Sequence, residues 1–166
     1  MGKATEQPLK EGDSAPEFSL PASTGASISL RDFRGKQAVV LYFYPKDDTP
    51  GCTIEACGFR DTSKDYQKAG AAILGVSLDN LNSHHKFIDK FSLSFPLLSD
   101  ETQSVSKAYG VYKLKQMYGK EYWGIERTTF LIDKRGKIAK IYPKVKVEGH
   151  HEEVLRDVKQ LTAQRS

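Results

Sequence analysis

The strongest constraint in this sequence is Ala38-Val39-Val40-Leu41-Tyr42-Phe43-Tyr44, an unbroken apolar and aromatic run cut off by Pro45. Side chains of this kind favour pleated backbone, and a strand without polar alternation has to be covered on both faces. The run therefore predicts a central strand between layers of helix. Pro45 ends it, since proline cannot donate to a sheet ladder. The run falls far short of the ~20 residues a spanning helix needs, so no transmembrane segment is expected.

Around this strand the pattern alternates. Glu17 to Leu20 and Ala26 to Leu30 carry period-two apolar spacing about Ser23-Thr24-Gly25, which predicts an N-terminal hairpin. Pro50 to about Lys68 reads as one helix, with Ile54, Cys57, Phe59 and Tyr66 on an irregular apolar side and Gly70 closing it. Ala71 to Leu78 reads as a strand, Asn82 to Phe91 as a helix, Phe95 to Leu98 as a short strand and Glu101 to Tyr109 as a helix stopped by Gly110. Arg127 to Asp133 and Lys137 to Tyr142 flank Lys134-Arg135-Gly136 as a second hairpin. His150 to Gln164 closes the chain as an amphipathic helix with Val154, Leu155, Val158 and Leu161 on one face. This order predicts a mixed sheet with helices on both faces. A βαβ start, an antiparallel hairpin and a closing helix make the thioredoxin arrangement, a pattern shared with other α/β sandwiches.

With 166 residues and 39% hydrophobic content, the chain has material for one core, assigned to residues 11–166. Residues 1–10 are polar, lack the apolar stretch of a secretory signal and read as a flexible tail. The net charge of +4 comes from 25 basic and 21 acidic residues without long runs of one sign, a solvated surface and no nucleic-acid footprint. Two cysteines without a secretory signal argue against a disulfide scaffold and for a cytoplasmic location, leaving catalysis, metal binding or simple burial for the thiols. An organelle fits equally well if a transit segment has been removed.

The chemistry concentrates where the central strand hands over to a helix, at Pro45-Lys46-Asp47-Asp48-Thr49-Pro50-Gly51-Cys52. Thr49 suits the N-cap and Pro50 the first helical position, so Cys52 falls third, close to unpaired backbone N–H groups. An ordinary thiol is only about 3% thiolate at neutral pH, and a helix N-terminus with a cation nearby makes it mostly thiolate. That gain is worth only about 2 kcal/mol, so a fast nucleophilic attack needs donors around the departing group as well. Thr49, backbone N–H groups and Arg127, which opens a buried strand, are the candidates. Cys57 lies five residues after Cys52. On an ideal helix that puts the Cα atoms about 8.6 Å apart, beyond the roughly 7 Å a disulfide allows, so the two thiols can bond only if the helix frays.

Pro45, Thr49 and Cys52, spaced Pro-x-x-x-Thr-x-x-Cys, resemble the signature of the peroxiredoxins, and the extension to Cys57 resembles the peroxiredoxin Q or bacterioferritin comigratory class. The similarity runs from Gly12-Asp13-Ser14-Ala15-Pro16 through Phe95-Pro96-Leu97-Leu98 to Arg127-Thr128-Thr129-Phe130. It implies a thioredoxin-like α/β fold, a central mixed sheet flanked by helices with an added N-terminal β-hairpin. It implies a thiol peroxidase in which Cys52 is peroxidatic, Pro45 shields its sulfenic acid, Thr49 orients sulfur and substrate, and Arg127 stabilises the thiolate. Cys57 would be the resolving thiol, giving an intramolecular disulfide for a thioredoxin-like donor to reduce. The resemblance implies no cofactor and no metal, and a monomer or weak homodimer.

Other features read more plainly. The pairs His84-His85 and His150-His151 point to different sides of a helix, match no usual zinc spacing and read as solvent-exposed. Trp123, with Tyr118 and Tyr122, reads as packing. The rival enzyme, a disulfide reductase, lacks its C-x-x-C motif. A rival of another kind is a redox sensor or holdase whose Cys52 helix unfolds on oxidation.

Overall fold

In the computed structural model, which describes residues 8–163, the chain opens with an antiparallel hairpin of β1 (Ser19–Pro21) and β2 (Ser27–Ser29). The apolar run forms β3 (Ala38–Phe43), with every residue buried. Then come α1 (Pro50–Asp61), α2 (Ser63–Lys68), β4 (Ala71–Ser77), α3 (Leu81–Phe91), β5 (Leu97–Ser99) and α4 (Ser104–Ala108). The chain closes with β6 (Tyr112–Met117), β7 (Lys120–Ile125), β8 (Thr128–Ile132), β9 (Ile138–Tyr142) and α5 (His150–Ala163). The main sheet has the order β5-β4-β3-β8-β9. Its β5-β4-β3 half is parallel and its β3-β8-β9 half antiparallel, the mixed sheet expected.

Alternation along β3 divides the core in two. Val39, Leu41 and Phe43 join Leu74, Phe130 and Ile132 on one face, covered by the N-terminal hairpin and α4. Val40 and Tyr42 join Ile73, Leu97 and Leu131 on the other, against Phe59 of α1, Tyr66 of α2, Phe87 of α3 and Val154 of α5. Strands buried on both sides explain why the central run shows no period.

Several expectations need correction. The helix expected from Pro50 to Lys68 breaks at Thr62, where φ is −110° and ψ 8° and the hydroxyl donates to the Gly58 carbonyl at 2.9 Å. Its buried stripe is Cys52, Glu55, Ala56 and Phe59, a three-to-four spacing, and Ile54 lies off that stripe, 48% exposed. Residues 112–125, unassigned from the sequence, form the β6–β7 hairpin, which pairs with no other strand among the described residues. Tyr118 and Gly119 turn it with φ of 54° and 78°, as a primed two-residue turn requires. Trp123 and Tyr118 are exposed there, not packed in the core, and Trp123 stacks on Tyr112. His84 and His150 are buried, not solvent-exposed, because polar partners await their ring nitrogens inside. Of the expected tail, residues 1–7 lie outside the described residues, and Leu9 packs against the core. Gln164 of the expected last helix also lies outside them. No helix among the described residues is long and apolar enough to cross a membrane.

Candidate active site

The register of the sheet builds the site. Phe43, the last residue of β3, pairs with Thr128, the first of β8, so Arg127 stands beside the point where the chain leaves β3 for α1. Thr49 is the N-cap of α1, Pro50 its first residue and Cys52 its third, as the sequence predicts. Cys52 is 1% exposed, and Arg127 Nη1 lies 3.4 Å from its Sγ. Gly51 permits this approach, since a Cβ there would sit 3.0 Å from Arg127 Nη2. The first turn of the helix adds the partial positive charge of its unpaired N–H groups. The Cys52 sulfur thus has a guanidinium beside it and lies in the first turn of a helix.

Arg127 has a second partner. Its Nη1 donates to Glu55 Oε1 at 2.7 Å, one turn along α1 from Cys52. Burial pushes the Glu55 carboxyl up to about 7, against the pull of the Arg127 charge and hydrogen bond. Among the described residues its other oxygen, Oε2, has no hydrogen-bond partner, and the buried Tyr42 hydroxyl has none either. Burial and then the charges of Glu55 and Cys52 push the Tyr42 hydroxyl well above its usual range. For Arg127 itself burial opposes the charge, and Glu55 and Cys52 outweigh it and raise the guanidinium's proton affinity.

Thr49 sits at the N-cap without capping through its side chain, for its hydroxyl donates to the Lys46 carbonyl at 2.8 Å. Pro45 is half-buried at the head of the same loop. Cys57 is half-buried further along α1, and both cysteines are free thiols.

The sequence profile of the AhpC/TSA family matches residues 12–141, spanning both the Cys52 loop and Arg127. The chain belongs to that family. Within it, the chain is a peroxiredoxin of the peroxiredoxin Q or Bcp class, and a thiol peroxidase. It is 53% identical over 147 residues to the putative peroxiredoxin bcp of Coxiella burnetii, covering 89% of this chain and 97% of that one. It is 48% identical to peroxiredoxin Bcp of Bacillus subtilis, covering 93% and 98%. The solved bacterioferritin comigratory protein of Xanthomonas campestris, studied for its alkyl peroxide reduction activity, superposes with a TM-score of 0.83 at 43% identity, covering 87% and 92%.

Of the residues singled out in the sequence of this peroxiredoxin, the fold brings Cys52 and Arg127 into contact and sets Thr49 and Pro45 in the loop that leads into α1. It leaves Cys57 unbonded on the same helix as Cys52. Sequence reading missed Glu55. The signal was present, an acidic residue one turn from the cysteine on the stripe that faces the core, yet a glutamate at that spacing is usually a solvated helix residue. It also missed Asp47 and His84, which are separated by 37 positions and meet only through the packing of α3.

Proposed function

We propose that this peroxiredoxin reduces hydrogen peroxide and organic hydroperoxides through Cys52. The observation that carries the residue assignment is the 3.4 Å contact between Arg127 Nη1 and the buried Cys52 Sγ at the helix N-terminus. The thiolate attacks one peroxide oxygen and the O–O bond breaks. The departing oxygen takes the electron pair and a proton and leaves as alcohol or water, while Cys52 becomes a sulfenic acid. Arg127 and the first-turn N–H groups stabilise the charge moving onto the departing oxygen, Thr49 orients sulfur and peroxide, and Pro45 shields the S–OH group. Cys57 then attacks the Cys52 sulfur, water leaves and an intramolecular disulfide forms. A thioredoxin-like dithiol reduces it by exchange. The reading includes one domain over residues 11–166, a monomer or weak homodimer, and a cytoplasmic location.

Hydroperoxide consumption coupled to thioredoxin, its reductase and NADPH tests this reading, with Cys52→Ser and Cys57→Ser beside the wild type. Turnover should vanish in Cys52→Ser, and Cys57→Ser should complete one round and stop. A wild type that reacts once and fails to turn over with thioredoxin, glutaredoxin or a small dithiol is a redox sensor instead.

A further inference from the structure

The loop that carries Thr49 is pinned by a buried polar cluster outside the machinery described so far. Asp47 is 7% exposed and His84, on α3, is fully buried. Asp47 Oδ2 lies 2.7 Å from His84 Nδ1 and accepts the Ser83 hydroxyl at 2.7 Å, while Oδ1 accepts the Tyr44 hydroxyl at 2.5 Å. The other ring nitrogen, His84 Nε2, lies 2.9 Å from the Leu98 carbonyl. A carbonyl can only accept, so Nε2 carries a proton. The second face of the ring meets a carboxyl oxygen, and one further proton must lie between Nδ1 and Oδ2, whichever of the two holds it. The main chain of the loop is held too, for Asp47 N–H donates to Asp79 Oδ2 at 2.8 Å.

Two residues beyond Asp47, Thr49 sends its hydroxyl proton back to the Lys46 carbonyl, so the direction of that hydroxyl depends on where residues 46 and 47 are held. Thr49 also starts α1, and Cys52 follows within its first turn. We propose that Asp47 and His84 are positioning residues of the peroxidase reaction: their contact fixes the loop that aims the Thr49 hydroxyl and the first turn of α1 at the peroxide bound to Cys52. The Leu98 contact of the same ring serves the packing of α3 on the sheet and has no part in this. The proposal rests on Cys52 as the reacting thiol.

Two substitutions at one position separate the contacts. In His84→Asn the amide nitrogen can take the place of Nδ1 and keep the donor to Asp47, and in His84→Gln the longer side chain reaches toward Leu98 and abandons Asp47. Both are read by the second-order rate of Cys52 oxidation by hydrogen peroxide and by the rate of Cys52 alkylation with iodoacetamide, which needs the thiolate but no aligned peroxide. We expect His84→Gln to lose roughly 10- to 100-fold in the peroxide rate, the scale of a catalytic group displaced by about an ångström. Its alkylation should change by less than about threefold, and His84→Asn should recover most of the peroxide rate. Equal peroxide rates in the two variants, or a parallel fall of both reactions in His84→Gln, overturn the proposal. Should either fail to fold, Asp47→Asn against Asp47→Ala tests the contact from its other side, because an asparagine side chain there can donate to a neutral His84 and an alanine side chain cannot. Cys52→Ser, run in parallel, separates the two failures: peroxide reactivity that survives there overturns Cys52 as the reacting thiol and the positioning role with it, whereas reactivity lost there together with equal rates in the two His84 variants overturns the positioning role alone.

Discussion

Arg127 serves two acidic partners with one nitrogen, Cys52 Sγ at 3.4 Å and Glu55 Oε1 at 2.7 Å. On the proposed mechanism, Arg127→Met should slow peroxide reduction at least about 100-fold and slow alkylation of Cys52 as well, since it removes the guanidinium that touches the sulfur. Glu55 makes a prediction about stability. Its folded value of about 7 stands above the ordinary 4.5, so between those pH values the folded protein holds a proton that the unfolded chain has released. This contribution is fully present below pH 4.5 and lost as pH rises to 7, a change of about 3 kcal/mol. Urea denaturation at pH 5 and pH 8 should show the wild type losing stability against Glu55→Gln by that order as pH rises. Cys52 was legible in the sequence because it follows a cap residue and a proline at a helix start, and Arg127 because a charge immediately precedes a buried strand. Glu55 was not, because whether a helical glutamate is buried depends on which helical face the sheet covers, a tertiary fact.

On the proposed mechanism the element that has to change during turnover is α1, and its packing against α5 is close. A Cβ added at Gly58 would lie 2.3 Å from His151 Nδ1. Gly58→Ala should thus destabilise the protein by about 1–3 kcal/mol, although alanine is the better helix former by about 1 kcal/mol. Adding His151→Ala should restore the thermal midpoint, and an unchanged midpoint in the single variant would show that the His151 ring simply moves aside. The glycine also stands immediately after Cys57, so the least helix-prone residue type in the interior of α1 adjoins the proposed resolving thiol. Most elements were legible from their periodicity. The break at Thr62 was not, because a threonine hydroxyl that returns to the carbonyl four residues back is compatible with either a continuing or an ending helix. The β6–β7 hairpin escaped because its strands are lysine-rich and, among the described residues, pair with no other strand, although Tyr118-Gly119 offered a turn signal.

For the molecule as a whole, the two faces of the sheet carry unequal duties. The face that packs β1, β2 and α4 is built of Phe18, Leu41, Val105 and Phe130, and the face that packs α1 buries Cys52 with Ala56 and Phe59. Bonding Cys52 to Cys57 must draw part of that cluster out of the core. The disulfide form should accordingly unfold at a midpoint lower than the reduced form, by about 4–8 °C for a loss near 2 kcal/mol, as calorimetry of the two states would measure. Amide exchange should accelerate in α1 and leave α2 protected, because α2 starts afresh after Thr62 and Tyr66 holds the His151 carbonyl through its hydroxyl at 2.6 Å. The overall architecture could be anticipated since alternating strands and helices around one apolar run admit few arrangements. Which face would hold the chemistry followed only from the pairing of β3 with β8.

The hairpin of β6 and β7 bears the chain's only tryptophan, Trp123, 57% exposed and four positions before Arg127. That gives the molecule a built-in optical probe. Its indole emission comes from one known place, is uncluttered by other indoles, and originates on a strand that runs directly into the residue touching Cys52. Rapid-mixing experiments can record that emission in unlabelled protein, and a dye attached at the tip residue Tyr118 after its replacement by cysteine would stand clear of the core.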